Sequence, residues 1–194
     1  VLDRSGSMQA RVEDVNRLVI AKSATLQAIG LLHPDSQVGV IVFDSEPHVI
    51  VPIRQGVDLP AIEAALEPVE PGGGTKLYPG LAEAIAQLSA TQALAKHIVV
   101  MTDGLLELAD FPGLLAPATE AGTTVSAVAI GGGADVIDAE GIARMGGGAF
   151  HATQDFRALP SILSQEAMMM SGSPVEVGAA PVFWVDRNAD FLAG

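Results

Sequence analysis

The chain has 194 residues, enough for one large domain or one domain with a fragment of another, and 49% of them are hydrophobic, which supplies a core and argues against disorder. The 23 acidic and 10 basic side chains give a formal net charge of -13, with Lys and Arg scattered singly, whereas a nucleic-acid backbone needs a clustered basic surface to displace its counterions; nucleic acid is excluded as a partner. The absence of Cys excludes a disulfide framework, thiol catalysis and Cys-ligated zinc, and no apolar run approaches the roughly 20 residues of a membrane span, so no membrane contact is expected of this segment itself.

Val1-Leu2-Asp3 reads as the end of an apolar strand whose earlier residues are expected upstream. The spacing of Val15, Leu18, Val19, Lys22, Leu26 and Ile29 predicts a helix over 12–32, stopped by Pro34. The apolar run 38–43 is expected to be a strand covered on both faces. Residues 46–53 mix polar and apolar side chains with Pro47 and Pro52, which predicts an antiparallel edge strand joined through Asp44-Ser45. A short helix over 59–66, a glycine-rich loop over 71–75 and a helix over 79–94 follow. Strands are expected at 98–101, 125–130 and 149–152, with helices over 111–121, between the glycine clusters at 131–133 and 146–148, and over 156–170.

Strands that alternate with helices predict an α/β fold, a three-layer α/β/α sandwich of Rossmann-like topology with a mostly parallel sheet and one antiparallel edge strand. Residues 1–170 are expected to form one domain. From Ser171-Gly172-Ser173-Pro174 onward the composition changes to a linker and tail leading to a further module.

Three separated pieces fall where a strand gives way to a loop: Asp3-Arg4-Ser5-Gly6-Ser7, Gly73-Gly74-Thr75 and Thr102-Asp103-Gly104. Strand ends of an open parallel sheet converge on one crevice, so these pieces can share a site. Asp3, Ser5, Ser7, Thr75 and Asp103 offer two carboxylates and three hydroxyls. Such hard oxygen donors suit Mg²⁺, Mn²⁺ or Ca²⁺ rather than zinc, and leave room for water and an incoming ligand.

With these residues in view, Asp-x-Ser-x-Ser followed by Gly-Gly-Thr and Thr-Asp-Gly resembles the metal-ion-dependent adhesion site of von Willebrand factor type A domains over roughly residues 1–170. Val-Leu-Asp-Arg-Ser-Gly-Ser-Met and Lys-His-Ile-Val-Val-Met-Thr-Asp-Gly are similar to bacterial members. The resemblance implies that Ser5 and Ser7 bind the metal directly, that Asp3 acts through water or a second-layer contact, and that Thr75 and Asp103 exchange direct and water-mediated roles. It implies a binding module rather than an enzyme, with Mg²⁺ as the expected ion and a Glu or Asp carboxylate of a protein partner completing the coordination. Less specifically, the last helix and Val182-Phe183-Trp184-Val185 resemble bacterial membrane-anchored proteins in which a type A domain is joined to a glutamine-amidotransferase-like domain.

Other readings are weaker. Asp3, Ser5 and Ser7 could cap a helix, and Asp103 could be a turn residue before Gly104. Gly72-Gly73-Gly74-Thr75-Lys76 lacks the order of a phosphate-binding P-loop. A Mg²⁺-dependent phosphatase using Asp3 as nucleophile would need a second carboxylate where Ser5 stands and a basic group, for which only Arg4 and Lys76 are available. A scaffold with a vestigial site is the third alternative. His33, His48, His97 and His151 show no ligand spacing and are expected to be surface or packing residues, and Asp44 is expected to serve as a hairpin turn residue, with hydrogen bonding beside the metal loop as the alternative. Because the first strand is short for a central position, the tail at 182–185 is expected to supply a strand beside it, in the same molecule or a neighbouring one.

Overall fold

The computed structural model describes residues 1–104, 107–131 and 134–171. The tail expected to supply a strand, the linker ahead of it and Trp184 lie outside the described residues.

The chain begins with β1 (Leu2–Asp3), a 3₁₀ turn at Gly6–Gln9, and a two-stranded hairpin of β2 (Arg11–Val12) and β3 (Val15–Asn16). The first long helix, α1 (Arg17–Ile29), therefore starts five residues later than the apolar spacing predicts. The hairpin occupies positions whose Val12 and Val15 happen to fit the helical period, and Glu13 turns it with a positive φ of 56°. Asn16 then caps α1, its side-chain oxygen accepting from Leu18 N at 2.8 Å.

The remaining elements follow the expected alternation: β4 (Gln37–Phe43), β5 (Pro47–Gln55), α2 (Leu59–Leu66), α3 (Leu77–Ser89), β6 (Lys96–Thr102), α4 (Phe111–Glu120), β7 (Thr123–Ile130), α5 (Ala134–Met145), β8 (Gly147–Thr153), a 3₁₀ turn at Phe156–Ala158 and α6 (Leu159–Ser171). The helix expected over 79–94 begins earlier and ends at Ser89. The main sheet has the order β5-β4-β1-β6-β7-β8; every neighbouring pair is parallel except β4 with β5, which puts the antiparallel strand at one edge as expected.

Strand alternation builds two cores, one on each face of the sheet. Val38, Val40 and Val42 of β4, Met101 of β6 and Val128 and Ile130 of β7 pack with Leu18, Ala21 and Ala24 of α1, Ile62 of α2, and Leu159 and Leu163 of α6. On the opposite face Ile41 and Phe43, Ile98 and Val100, and Val125 meet Leu77 and Leu81 of α3, Leu115 of α4 and Ile142 of α5. This is the three-layer sandwich. Lys22 reaches past the apolar face of α1: its ammonium donates to the carbonyl oxygens of Leu66, Glu67 and Val69 at 3.0, 3.1 and 3.1 Å, satisfying the C-terminal end of α2. No helix among the described residues is long and apolar enough to cross a membrane.

Candidate metal site

The parallel register places the carboxyl ends of β1, β4 and β6 side by side, with Leu2 opposite both Val42 and Met101. Asp3, Asp44 and Asp103 consequently emerge at one rim of the sheet. Asp3 is fully buried, and both of its oxygens are engaged: Oδ1 accepts from Ser5 N at 2.7 Å and Oδ2 from Thr102 Oγ1 at 2.7 Å. Burial pushes the Asp3 carboxyl above its ordinary range, against the hydrogen bonds from Ser5 and Thr102, and the nearby Asp103 charge pushes in the same direction as burial.

Ser5 opens the 3₁₀ turn, which the buried Met8 anchors in the core. The turn brings Ser5 Oγ to 2.9 Å from Ser7 Oγ, and Ser7 Oγ donates to Asp103 Oδ1 at 2.6 Å. The glycine-rich loop is laced onto this turn, Gly72 N donating to Arg4 O at 2.7 Å and Gly6 N to Gly73 O at 3.2 Å. Thr75 abuts the third piece: a Cβ at Gly104 would lie 3.1 Å from Thr75 Oγ1. All five residues singled out by spacing thus come to one place. Among the described residues no three His, Cys, Asp or Glu are grouped so as to hold a metal.

Two residues, Arg17 and Glu107, escape the sequence reading, and a third, Asp44, takes more than the turn role expected of it. Arg17, at the first position of α1, donates from Nη1 to Asp103 Oδ2 at 2.9 Å and lies 4.9 Å above the Phe156 ring. Its one sequence signal is that a cation at a helix N-terminus opposes the helix dipole and so asks for an anion nearby. Glu107 closes the N-terminus of α3 directly after Thr75-Lys76, accepting from Leu77 N at 2.9 Å and Tyr78 N at 2.7 Å. Asp44 is more than the expected hairpin residue. It accepts from Glu46 N in the turn at 3.0 Å, and also from Arg4 Nε at 2.9 Å and His48 Nε2 at 3.2 Å, which ties β4 to the Asp3 loop. Burial would raise its carboxyl, but the bonds from Glu46 and His48 and the Arg4 charge overcome it and hold the group below its ordinary value.

Two of the histidines expected at the surface or in packing share one buried partner. His97 and His151 are remote in sequence, yet both meet the buried Glu166, His97 Nε2 at 3.0 Å and His151 Nε2 at 2.5 Å from its two oxygens. Burial would raise Glu166; hydrogen bonds from His97, His151 and Ser126 overcome this and bring it down to about 2. This cluster stands on β6, β8 and α6, away from the Asp3 loop, and borders a cavity of about 470 Å³ between β4 and β6.

With the fold and the rim geometry established, comparison with known proteins is decisive. Residues 1–105 match the von Willebrand factor type A domain. The chain belongs to this family. Solved structures agree on the fold of this type A domain. BatB from Bacteroides thetaiotaomicron is 23% identical with a TM-score of 0.75, covering 89% of this chain and 97% of its own. An aerotolerance-related membrane protein from Bacteroides fragilis, solved with multiple mutations to serines, is 21% identical with a TM-score of 0.72, covering 87% and 96%. Proximal thread matrix protein 1 from the mussel byssus, with a zinc-occupied adhesion-site motif, is 20% identical with a TM-score of 0.71, covering 88% of this chain and 44% of its own. A search of curated proteins finds no match.

Proposed function

We propose that this type A domain is a divalent-cation-dependent protein-recognition module, not an enzyme. Ser5, Ser7, Thr75 and Asp103 would hold the ion, Asp3 would orient the loop and act through water, and a Glu or Asp carboxylate of the partner would complete the coordination. The observation that carries the reading is the run of oxygens Ser5 Oγ, Ser7 Oγ and Asp103 Oδ1, spaced 2.9 and 2.6 Å apart. Neighbouring ligands of an octahedral Mg²⁺ with bonds of 2.0–2.1 Å are separated by about 2.9 Å, so the residues fit such an ion. The all-oxygen set favours Mg²⁺, with Ca²⁺ or Mn²⁺ as substitutes. The zinc-bearing mussel protein supports a divalent cation at such a motif. A cation incompletely neutralised by its own ligands attracts a further anion, which is the physical basis for a partner carboxylate.

The phosphatase reading is disfavoured by the same geometry. Both oxygens of Asp3 are held by hydrogen bonds, and two of the basic groups near the rim, Arg4 and Arg17, are engaged by Asp44 and Asp103. The context of a membrane-anchored bacterial chain with a glutamine-amidotransferase-like partner domain remains part of the proposal, resting on the sequence resemblance.

Mg²⁺ binding is read by thermal unfolding. At 100-fold above its dissociation constant an ion that binds only the folded state contributes about 2.7 kcal/mol, or a rise of about 5–10 °C in Tm for a domain of this size. Ser7→Ala should abolish the rise; because it also removes a donor to the buried Asp103 carboxylate, the quantity compared is each chain's own Tm with and without Mg²⁺. A parent chain with no Mg²⁺-dependent rise supports the vestigial-scaffold alternative instead.

A further inference from the structure

We propose that Arg17 makes the site select the small, octahedral Mg²⁺ over the larger Ca²⁺, by keeping one oxygen of Asp103 from the ion. This rests on the metal-site reading above and deepens it.

Ca²⁺ accepts six to eight oxygens in flexible geometry and commonly takes a carboxylate through both oxygens, whereas Mg²⁺ demands a near-ideal octahedron and takes carboxylates through one. The site contains two carboxylates, and neither has a pair of free oxygens. Asp3 gives Oδ1 to Ser5 N and Oδ2 to Thr102 Oγ1. Asp103 turns Oδ1 to Ser7, a proposed ligand, and Oδ2 to the Arg17 guanidinium at 2.9 Å. The Asp103 side chain has no solvent exposure, so water cannot readily replace Arg17 there.

Arg17 is itself held in place. Its guanidinium carbon lies over the Phe156 ring at 4.9 Å, and its Nε is buried with no hydrogen-bond partner among the described residues. A buried donor left unsatisfied and a cation at the wrong end of a helix dipole both cost free energy, so helix stability does not explain this residue. Its attachment to Asp103 does. Arg17 is thus a positioning residue, acting on the ion through Asp103.

The test is calorimetric titration of the full chain with Mg²⁺ and, separately, Ca²⁺, for the parent, Arg17→Met and Phe156→Leu. Met keeps an apolar stem against Phe156. Leu removes the ring beneath the guanidinium without altering any oxygen. Losing a positive charge beside the site strengthens both divalent ions alike, so that effect cancels in the ratio of the two dissociation constants. The expected result is that the preference for Mg²⁺ over Ca²⁺ falls by about tenfold in Arg17→Met, the scale typical of partners that orient a metal ligand, and by less in Phe156→Leu. An unchanged ratio in Arg17→Met overturns the proposal, as does loss of both ions, which would make Arg17 necessary to form the site rather than to select at it. If Arg17→Met does not fold by circular dichroism, an unchanged ratio in Phe156→Leu overturns it. A parent chain that binds neither ion overturns the metal-site reading and this inference with it; a parent that binds while the ratio stays fixed overturns the inference alone.

Discussion

Gly73 has a φ of 77°, and a Cβ there would sit 2.8 Å from the Asp44 Cβ, an atom too close to its own backbone to swing aside. Gly73→Ala should therefore destabilise the fold by about 1–3 kcal/mol in urea unfolding, through left-handed strain and this overlap. It should also weaken Mg²⁺ binding, because Gly73 O anchors Gly6 N in the ligand turn; normal affinity in the folded variant would show that the glycine loop does not shape the site. Glu166 gives a pH-dependent prediction. Its carboxyl falls from 4.5 to about 2 on folding, so the folded state holds its proton less tightly than the unfolded chain. The stabilisation is complete above about pH 4.5 and is lost as pH falls toward 2, up to about 3 kcal/mol in all. The stability difference between the parent and Glu166→Gln should accordingly be larger at pH 5 than at pH 3; an equal gap at both would refute the ionic role. The five residues of the proposed site could be singled out because Asp3, Ser5 and Ser7 lie within one turn and each other piece carries its own local pattern. Arg17–Asp103 and Arg4–Asp44 join residues 86 and 40 positions apart, and His151 meets Glu166 across an element boundary. Nothing in local spacing encodes such meetings.

The elements themselves were readable where a single period governed them, as in β4, β6 and β7, and misread where two structures share one pattern. Val12 and Val15 satisfy a helical stripe as well as the β2–β3 hairpin, and only the Asn16 cap fixes where α1 begins. Lys22 sits among apolar helix positions because its stem packs there while its ammonium serves α2, a partner reached only in three dimensions.

On the scale of the whole molecule, the alternation of strands and helices specified the sandwich because each layer buries its own face. The net charge of -13 makes a demand of a different kind, since it is felt by the fold and by the site together. Self-repulsion among acidic groups destabilises any compact state, and salt screens it, with a Debye length of about 10 Å at 0.1 M. MgCl₂ would therefore raise Tm to some degree even without a specific site. The two effects separate when ionic strength is held constant. NaCl should raise the Tm of the parent and of Asp103→Asn by similar amounts, because removing one charge leaves most of the repulsion in place. Exchanging NaCl for MgCl₂ at the same ionic strength should then raise only the parent further, since Asp103→Asn loses an anionic ligand and the acceptor of the Arg17 ion pair but retains the diffuse field. Equal additional rises in both would assign the Mg²⁺ effect to general screening by a divalent ion, and the Asp3–Asp103 rim would then have no claim to a specific cation.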